Sequence, residues 1–406
     1  MPNLESMNLK LNPEEYGFSL DRLKRIDSHM QGYVDSGKFA GIVTLIARAG
    51  EVVHRGSFGF QDIAASKPME TDTIFRIYSM TKPITSLGLM MFIEQGSVDL
   101  IDPVVKFLPE FEKVRVWTPS GDFVDPSGQI TVRDLLTHTA GLSYGGYKDS
   151  QHPVDKLYDR ADLFDSQLSL EQSVRRIADL PLMYHPGEAW HYSIATDVIG
   201  RLIEVISGHS LGAFFQQRIF EPLAMVDTAF SVPPEKMDRF ATLYGRSRAT
   251  GLKPVDASIG GDYLSPRLLL GGQGLVSTAH DYLQFALLML NMGEWRGSRL
   301  LERETVELMT GNHLSQGQIP LSYNGIVDSS VPGFGFGLGF SVVLDPVQAG
   351  IYGNKGDYGW GGYAETYFWI DPQERIIAIL MAQFMPSLTF PIRKEFRTLV
   401  YQALES

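Results

Sequence analysis

The chain has 406 residues, of which 44% are hydrophobic and 20% charged, an ordinary balance for a globular protein with a large core. Its formal net charge of -12 argues against non-specific nucleic-acid binding, and the absence of cysteine excludes disulfides, thiolate catalysis and Cys-based metal sites. No apolar run is long enough for a membrane span, and residues 1–16 contain no apolar signal-peptide core, so a cytoplasmic location is expected.

Apolar residues at Leu20, Leu23, Ile26, Met30 and Tyr33 predict a helix over 20–33. Residues 41–47 are short and β-branched and predict a strand; Ala49-Gly50-Glu51 turns the chain into a second strand over 52–59. Residues 75–84 read as a loop turning into a helix that runs through Leu87, Met90, Met91 and Phe92 to a stop at Gly96. Further helices are predicted from after Thr131 to near Gly141, and over 168–180, 194–207 and 211–220. Gly271-Gly272-Gln-Gly274 is a glycine-rich entry to a helix over 279–292. Strand-like runs follow at 334–344, 365–370 and 375–384, and an amphipathic helix over 391–404 closes the chain. This order predicts an α+β protein with an antiparallel sheet. Residues 1–86 and 255–406 are expected to form an α/β domain, residues 87–254 a mostly helical one, with the site at their interface. The Pro/Gly loops at 119–128 and 311–332 are the expected mobile segments.

Ser79 and Lys82 stand one helical turn apart, so both side chains can project from one face of the first turn. Pro83 is tolerated there because the first N–H groups of a helix have no intrahelical partner. A serine hydroxyl becomes a nucleophile when a neighbouring base takes its proton, and a helix N-terminus offers N–H groups to an oxyanion. The bland alternative is an N-capping serine followed by a solvated lysine. Two further serines match the G-x-S-x-G elbow of α/β-hydrolases, Ser210 in Gly208–Gly212 and Ser143 in Gly141–Gly145. The apolar spacing over 197–206 fits a helix better than the buried strand an elbow needs. Gly208 then reads as a helix C-cap and Ser210 as the cap of the next helix. Neither His280 nor His313 completes a convincing triad. His185 and His191 lack metal-ligand spacing, so no metal and no cofactor are expected.

Five segments in order carry a resemblance: Ser79-Met-Thr-Lys82; Leu135-Leu-Thr-His138-Thr-Ala-Gly141-Leu142; Pro186-Gly-Glu-Ala-Trp190-His-Tyr192-Ser193; Gly274-Leu-Val-Ser-Thr278; and Trp360-Gly361-Gly362. Together they are similar to the serine β-lactamase and penicillin-binding-protein superfamily, and most closely its class C-like branch, the family VIII carboxylesterases. The resemblance covers nearly the whole chain. It implies a β-lactamase-like fold with Ser79 as nucleophile, Lys82 as base and Tyr192 as the tyrosine that accepts and returns the proton. It further implies an oxyanion hole from the N–H groups of Ser79 and Tyr363. Trp360 either walls the substrate pocket or fills the core, and the loop Tyr144-Gly-Gly-Tyr147 either lines the pocket or lies on the surface. His138 and Trp190 read as structural.

Two departures bear on substrate. The family's Tyr-x-Asn is Tyr192-Ser193-Ile194 here, without the amide, and the cation that usually opens the third motif is replaced by Trp360. Lys355 does not fit that position. Gly361 and Gly362 are expected to let the strand backbone approach the substrate. The expected substrate is therefore a small carboxylic ester, short acyl chains first, with weak β-lactam hydrolysis alongside. A D-peptidase, an amidase, an acyltransferase or a non-catalytic sensor of the same fold stays open. Nothing in the sequence marks an interface.

Overall fold

The computed structural model describes residues 12–145, 150–247, 251–255, 263–319, 321–322 and 330–405; Tyr147 and part of the 311–332 loop lie outside them. Eight strands form one antiparallel sheet: β1 (Gly41–Arg48), β2 (Glu51–Asp62), β3 (Lys67–Pro68), β4 (Phe334–Phe336), β5 (Ser341–Val343), β6 (Tyr358–Gly361), β7 (Tyr367–Asp371) and β8 (Ile376–Ala382). Their order across the sheet is β4-β5-β6-β7-β8-β1-β2-β3, so strands from the two ends of the chain meet where β1 pairs with β8, Ile42 opposite Ala382. The β1–β2 turn is the two-residue Ala49-Gly50, both at positive φ, the conformation whose twist matches the strands it joins.

The helices that matter for the site are α1 (Leu20–Asp35), α2 (Thr81–Glu94), α3 (Val132–Leu136), α4 (Pro153–Arg160), α5 (Leu170–Ala178), α6 (Ala195–Ser207), α7 (Leu211–Phe215), α8 (Ala279–Leu290), α9 (Arg303–Thr310) and α10 (Ile392–Gln402). Seven of the eight β1 residues are buried, because helices cover both faces of the sheet. Leu23, Ile26 and Met30 of α1 join Phe396 and Val400 of α10 against Ile42 and Ile46. Val43 and Leu45 point the other way, into the core with Phe285 and Leu288 of α8. Leu20, counted in the α1 stripe from sequence, is 46% exposed: it opens the helix beyond the edge of this contact.

Helix α2 is buried almost all round, from Thr81 to Phe92. It runs through the middle of the molecule, and Gly88 leaves room for Phe214 and Phe215 of α7. Two predicted elements are shorter or split. The helix expected to reach Gly141 carries its Thr131–Asp134 capping box but ends at Leu136, since His138 (φ 58°) and Gly141 (φ 78°) both leave helical backbone. Residues 334–344 form the β4–β5 hairpin instead of one strand. Its turn includes Gly339 at φ 100°, pressed on α2 so closely that a Cβ would stand 2.3 Å from Ser86 Oγ. Helices α4 and α9 were not anticipated. No single helix among the described residues is long and apolar enough to cross a membrane.

Candidate active site

The chain reaches the site along Phe75–Arg76, paired with Val276–Ser277, and turns through the 3₁₀ segment Tyr78–Met80 into α2. Tyr78 takes φ 43°, a conformation that costs a bulky residue on the order of 1–3 kcal/mol. Its ring is fully buried and meets Tyr363 edge-on at 6.4 Å, which holds the turn and places Ser79 just ahead of α2.

Tyr192 Oη donates to Ser79 Oγ at 2.7 Å, and Lys82 Nζ lies 3.3 Å from the same oxygen. Lys82 is 1% exposed, and its other two hydrogens go to Tyr144 Oη at 2.7 Å and the Gly272 carbonyl at 2.7 Å. Lys82 Nζ also sits over the rings of Tyr192 (4.8 Å) and Tyr144 (5.2 Å). The expected S-x-x-K and tyrosine pair are thus brought together. Tyr144, read from sequence as a substrate-binding residue, is turned onto Lys82 and is not among the described residues that line the neighbouring cavity.

Aromatic rings fix Tyr192 from several sides: His138 at 4.9 Å, Tyr144 at 5.3 Å, Trp360 at 5.4 Å and Trp190, stacked, at 6.3 Å. The Nε1–H of Trp360 points at Tyr192 Oη across 3.4 Å. His138 Nδ1 accepts the Ser193 N–H, and burial beside Lys82 keeps its ring well below the usual histidine range, hence neutral. His138 and Trp190 therefore act on Tyr192 by packing.

A cavity of about 400 Å³ opens beside Ser79, bounded by Tyr192, Trp360 and Tyr363, with Phe334, Ile351 and Leu388 adding apolar wall. Trp360 is both things the sequence left open, 6% exposed and part of this wall. The glycines after it also line the cavity, and their lack of a side chain has a second reason besides the one expected. A Cβ on Gly361 would stand 2.2 Å from Arg393 Nη1, and one on Gly362 would stand 2.2 Å from Thr366 Oγ1 and 2.3 Å from the Ile77 carbonyl. They admit the protein's own groups. The third motif is also not remote from a cation: Arg393 of α10 lies over it, though bonded to Glu365 and to the Gly362 carbonyl. Gly362→Ala is accordingly expected to push the strand off the Ser79 turn and lower stability by about 1–3 kcal/mol, read as a fall in Tm.

The competing serines are occupied elsewhere. Ser210 accepts the Ala213 N–H as the cap of α7, and Gly208 is the left-handed C-cap of α6. Ser143 is buried and donates to Asp155 at 2.5 Å. Sequence reading missed Asp197 of α6, a fully buried carboxyl that accepts the Gly272 N–H at 2.9 Å. The only signal was the glycine pair 271–272, whose backbone must approach Thr196 and Asp197.

Sheet, helices and Ser-Lys-Tyr cluster together define the class of β-lactamase-like serine enzymes. The chain belongs to the Beta-lactamase family, whose sequence profile matches residues 26–402. Protein Rv1367c of Mycobacterium tuberculosis is 33% identical over 362 residues, covering 87% of this chain and 88% of its own. Esterase EstB of Burkholderia gladioli is 31% identical over 379 residues, covering 86% and 88%. The structure of EstCE1, a hydrolase with promiscuous acyltransferase activity, superposes with a TM-score of 0.81 at 30% identity, covering 94% of this chain and 99% of that one. The family is one of serine hydrolases and acyltransferases.

Proposed function

We propose that this protein hydrolyses small carboxylic esters through an acyl-enzyme on Ser79. The observation that carries this reading is the Ser79 hydroxyl held at 2.7 Å by Tyr192 and 3.3 Å by Lys82 at the edge of a largely apolar cavity. Ser79 Oγ attacks the carbonyl carbon while the Lys82/Tyr192 pair takes its proton. The oxyanion lies between the N–H groups of Ser79 and Tyr363. The alcohol leaves with a proton from Tyr192, and water activated by the same pair releases the acid. The missing amide after Tyr192 and the commitment of Arg393 to Glu365 favour an ester over a D-peptide or β-lactam.

Steady release of acid from short-chain nitrophenyl esters, with no cleavage of D-peptides, is the expected result. A single acylation that then stops would overturn the hydrolase reading in favour of a sensor. Acyl transfer to an added alcohol is the second reading, favoured by the likeness to EstCE1. It predicts faster release of nitrophenol when a small alcohol is supplied.

A further inference from the structure

We infer that Asp197 is a positioning residue that holds Lys82 as an ammonium and so leaves Tyr192 as the group that takes the proton of Ser79. The inference rests on the acyl-transfer reading of Ser79 and goes beyond it by dividing the work of the pair. Three observations meet here. Three oxygens surround Lys82 Nζ, those of Ser79, Tyr144 and the Gly272 carbonyl, and the last can only accept, so the site offers a partner to each hydrogen of an ammonium. Behind this arrangement, Asp197 Oδ1 accepts the N–H of Gly272, the residue whose carbonyl receives Lys82. Its other oxygen, Oδ2, is buried without a hydrogen-bond partner and lies 2.8 Å from where a Cβ of Gly272 would stand, with Tyr144 Oη 3.1 Å from that point. A carboxylate left in that state needs a counter-charge.

Among the described residues, Lys82 on α2 is the cation whose charge reaches Asp197. Arg201, one turn further along α6, is engaged by Glu171 and Glu204. Of the rings around Lys82, His138 is neutral, and Tyr144 and Tyr192 carry no positive charge. Burial pushes the Asp197 carboxyl up to about 6 against the opposing pull of Lys82 and the Gly272 N–H, so the group is ionised at pH 8. A negative charge there favours Lys82 as ammonium. Because lysine and tyrosine share their protons, it also favours the form in which Tyr192 is the base.

The sign of one substitution separates the two bases. Asp197→Asn keeps an oxygen for the Gly272 N–H, removes the charge and puts an amide NH2 where Oδ2 stands. The readout is the rate at which a fluorophosphonate modifies Ser79 between pH 5 and pH 10, which needs no ester turnover. With Tyr192 as base, the rate of D197N at pH 8 is expected to fall about tenfold and the alkaline limb to move to lower pH. A faster reaction overturns the proposal, because it shows a freed Lys82 amine acting as base. An unchanged profile overturns it as well. So does a loss without displacement of the limb that Asp197→Ala reproduces, since that is a structural effect. If the variants do not fold or the parent does not label, the ¹³Cε resonance of Lys82 in the parent protein at pH 8 decides. An ammonium shift supports the assignment, even if ester turnover is absent, and a free-amine shift removes it.

Discussion

Ser79→Ala is expected to lower ester turnover by about 10⁵–10⁶-fold, the scale seen when the nucleophile of a cooperating catalytic unit is removed. The size follows from how completely the neighbourhood converges on one oxygen. Tyr192 donates to Ser79 Oγ, and Lys82 is within reach of the same atom. With the oxygen gone, the Lys82/Tyr192 pair has no proton to take. Three other hydroxyls nearby are already used: Ser341 Oγ donates to the Gly359 carbonyl, Ser193 Oγ is held at His138, and Thr81 Oγ1 accepts the Leu275 N–H. Folding should be almost untouched, since the substitution forfeits about 1 kcal/mol of hydrogen bonding. The check is mass spectrometry after phosphonate treatment together with kcat on a nitrophenyl ester. The parent is expected to carry the adduct on Ser79 and the variant to carry none. Modification at Ser210 or Ser143 would unseat Ser79, although both serines are engaged in capping or in Asp155.

What could be read from the chain was what lies within a few residues. The 3.6-residue spacing of Leu23, Ile26 and Met30 located α1, and the β-branched run after Gly41 located β1. Ser79 and Lys82 were legible because one helical turn separates them. Helix boundaries failed where the tertiary structure overrides local preference, as at His138, whose left-handed backbone lays its ring against Tyr192. The lysine environment was illegible for a related reason. Its acceptors on Tyr144 and Gly272 are 62 and 190 residues away, and no local pattern links an acid on α6 to a glycine before α8. The glycines of the third motif line the cavity, and a second constraint on them was not legible. Sequence shows that a side chain is excluded at Gly361 but not that the guanidinium of Arg393 excludes it.

Tyr192→Phe is expected to reduce kcat by about 10³-fold with KM changed little, within the 10²–10⁴ range for losing a general acid–base group. The substitution is clean because the ring is held by its faces and edges. His138, Trp190, Tyr144 and Trp360 still enclose a phenyl group, so the pocket keeps its shape. What disappears is the oxygen at 2.7 Å from Ser79 and the acceptor facing Trp360 Nε1. The second loss is specific to the reacting enzyme. An indole N–H can only donate, so its bond to Tyr192 strengthens as negative charge gathers on the phenol oxygen and weakens as the proton arrives. The loss should also depend on the leaving group. Nitrophenolate departs without a proton, whereas an alkyl alcohol needs the one Tyr192 returns, so alkyl esters are expected to suffer more than nitrophenyl esters. Parallel kcat measurements on an ethyl and a nitrophenyl ester of one acid test this. Near-full turnover of both by Y192F would sink the role of Tyr192 and move the proton to Lys82 at 3.3 Å. Equal losses on the two esters would confine Tyr192 to activating Ser79 and require another group to protonate the alcohol.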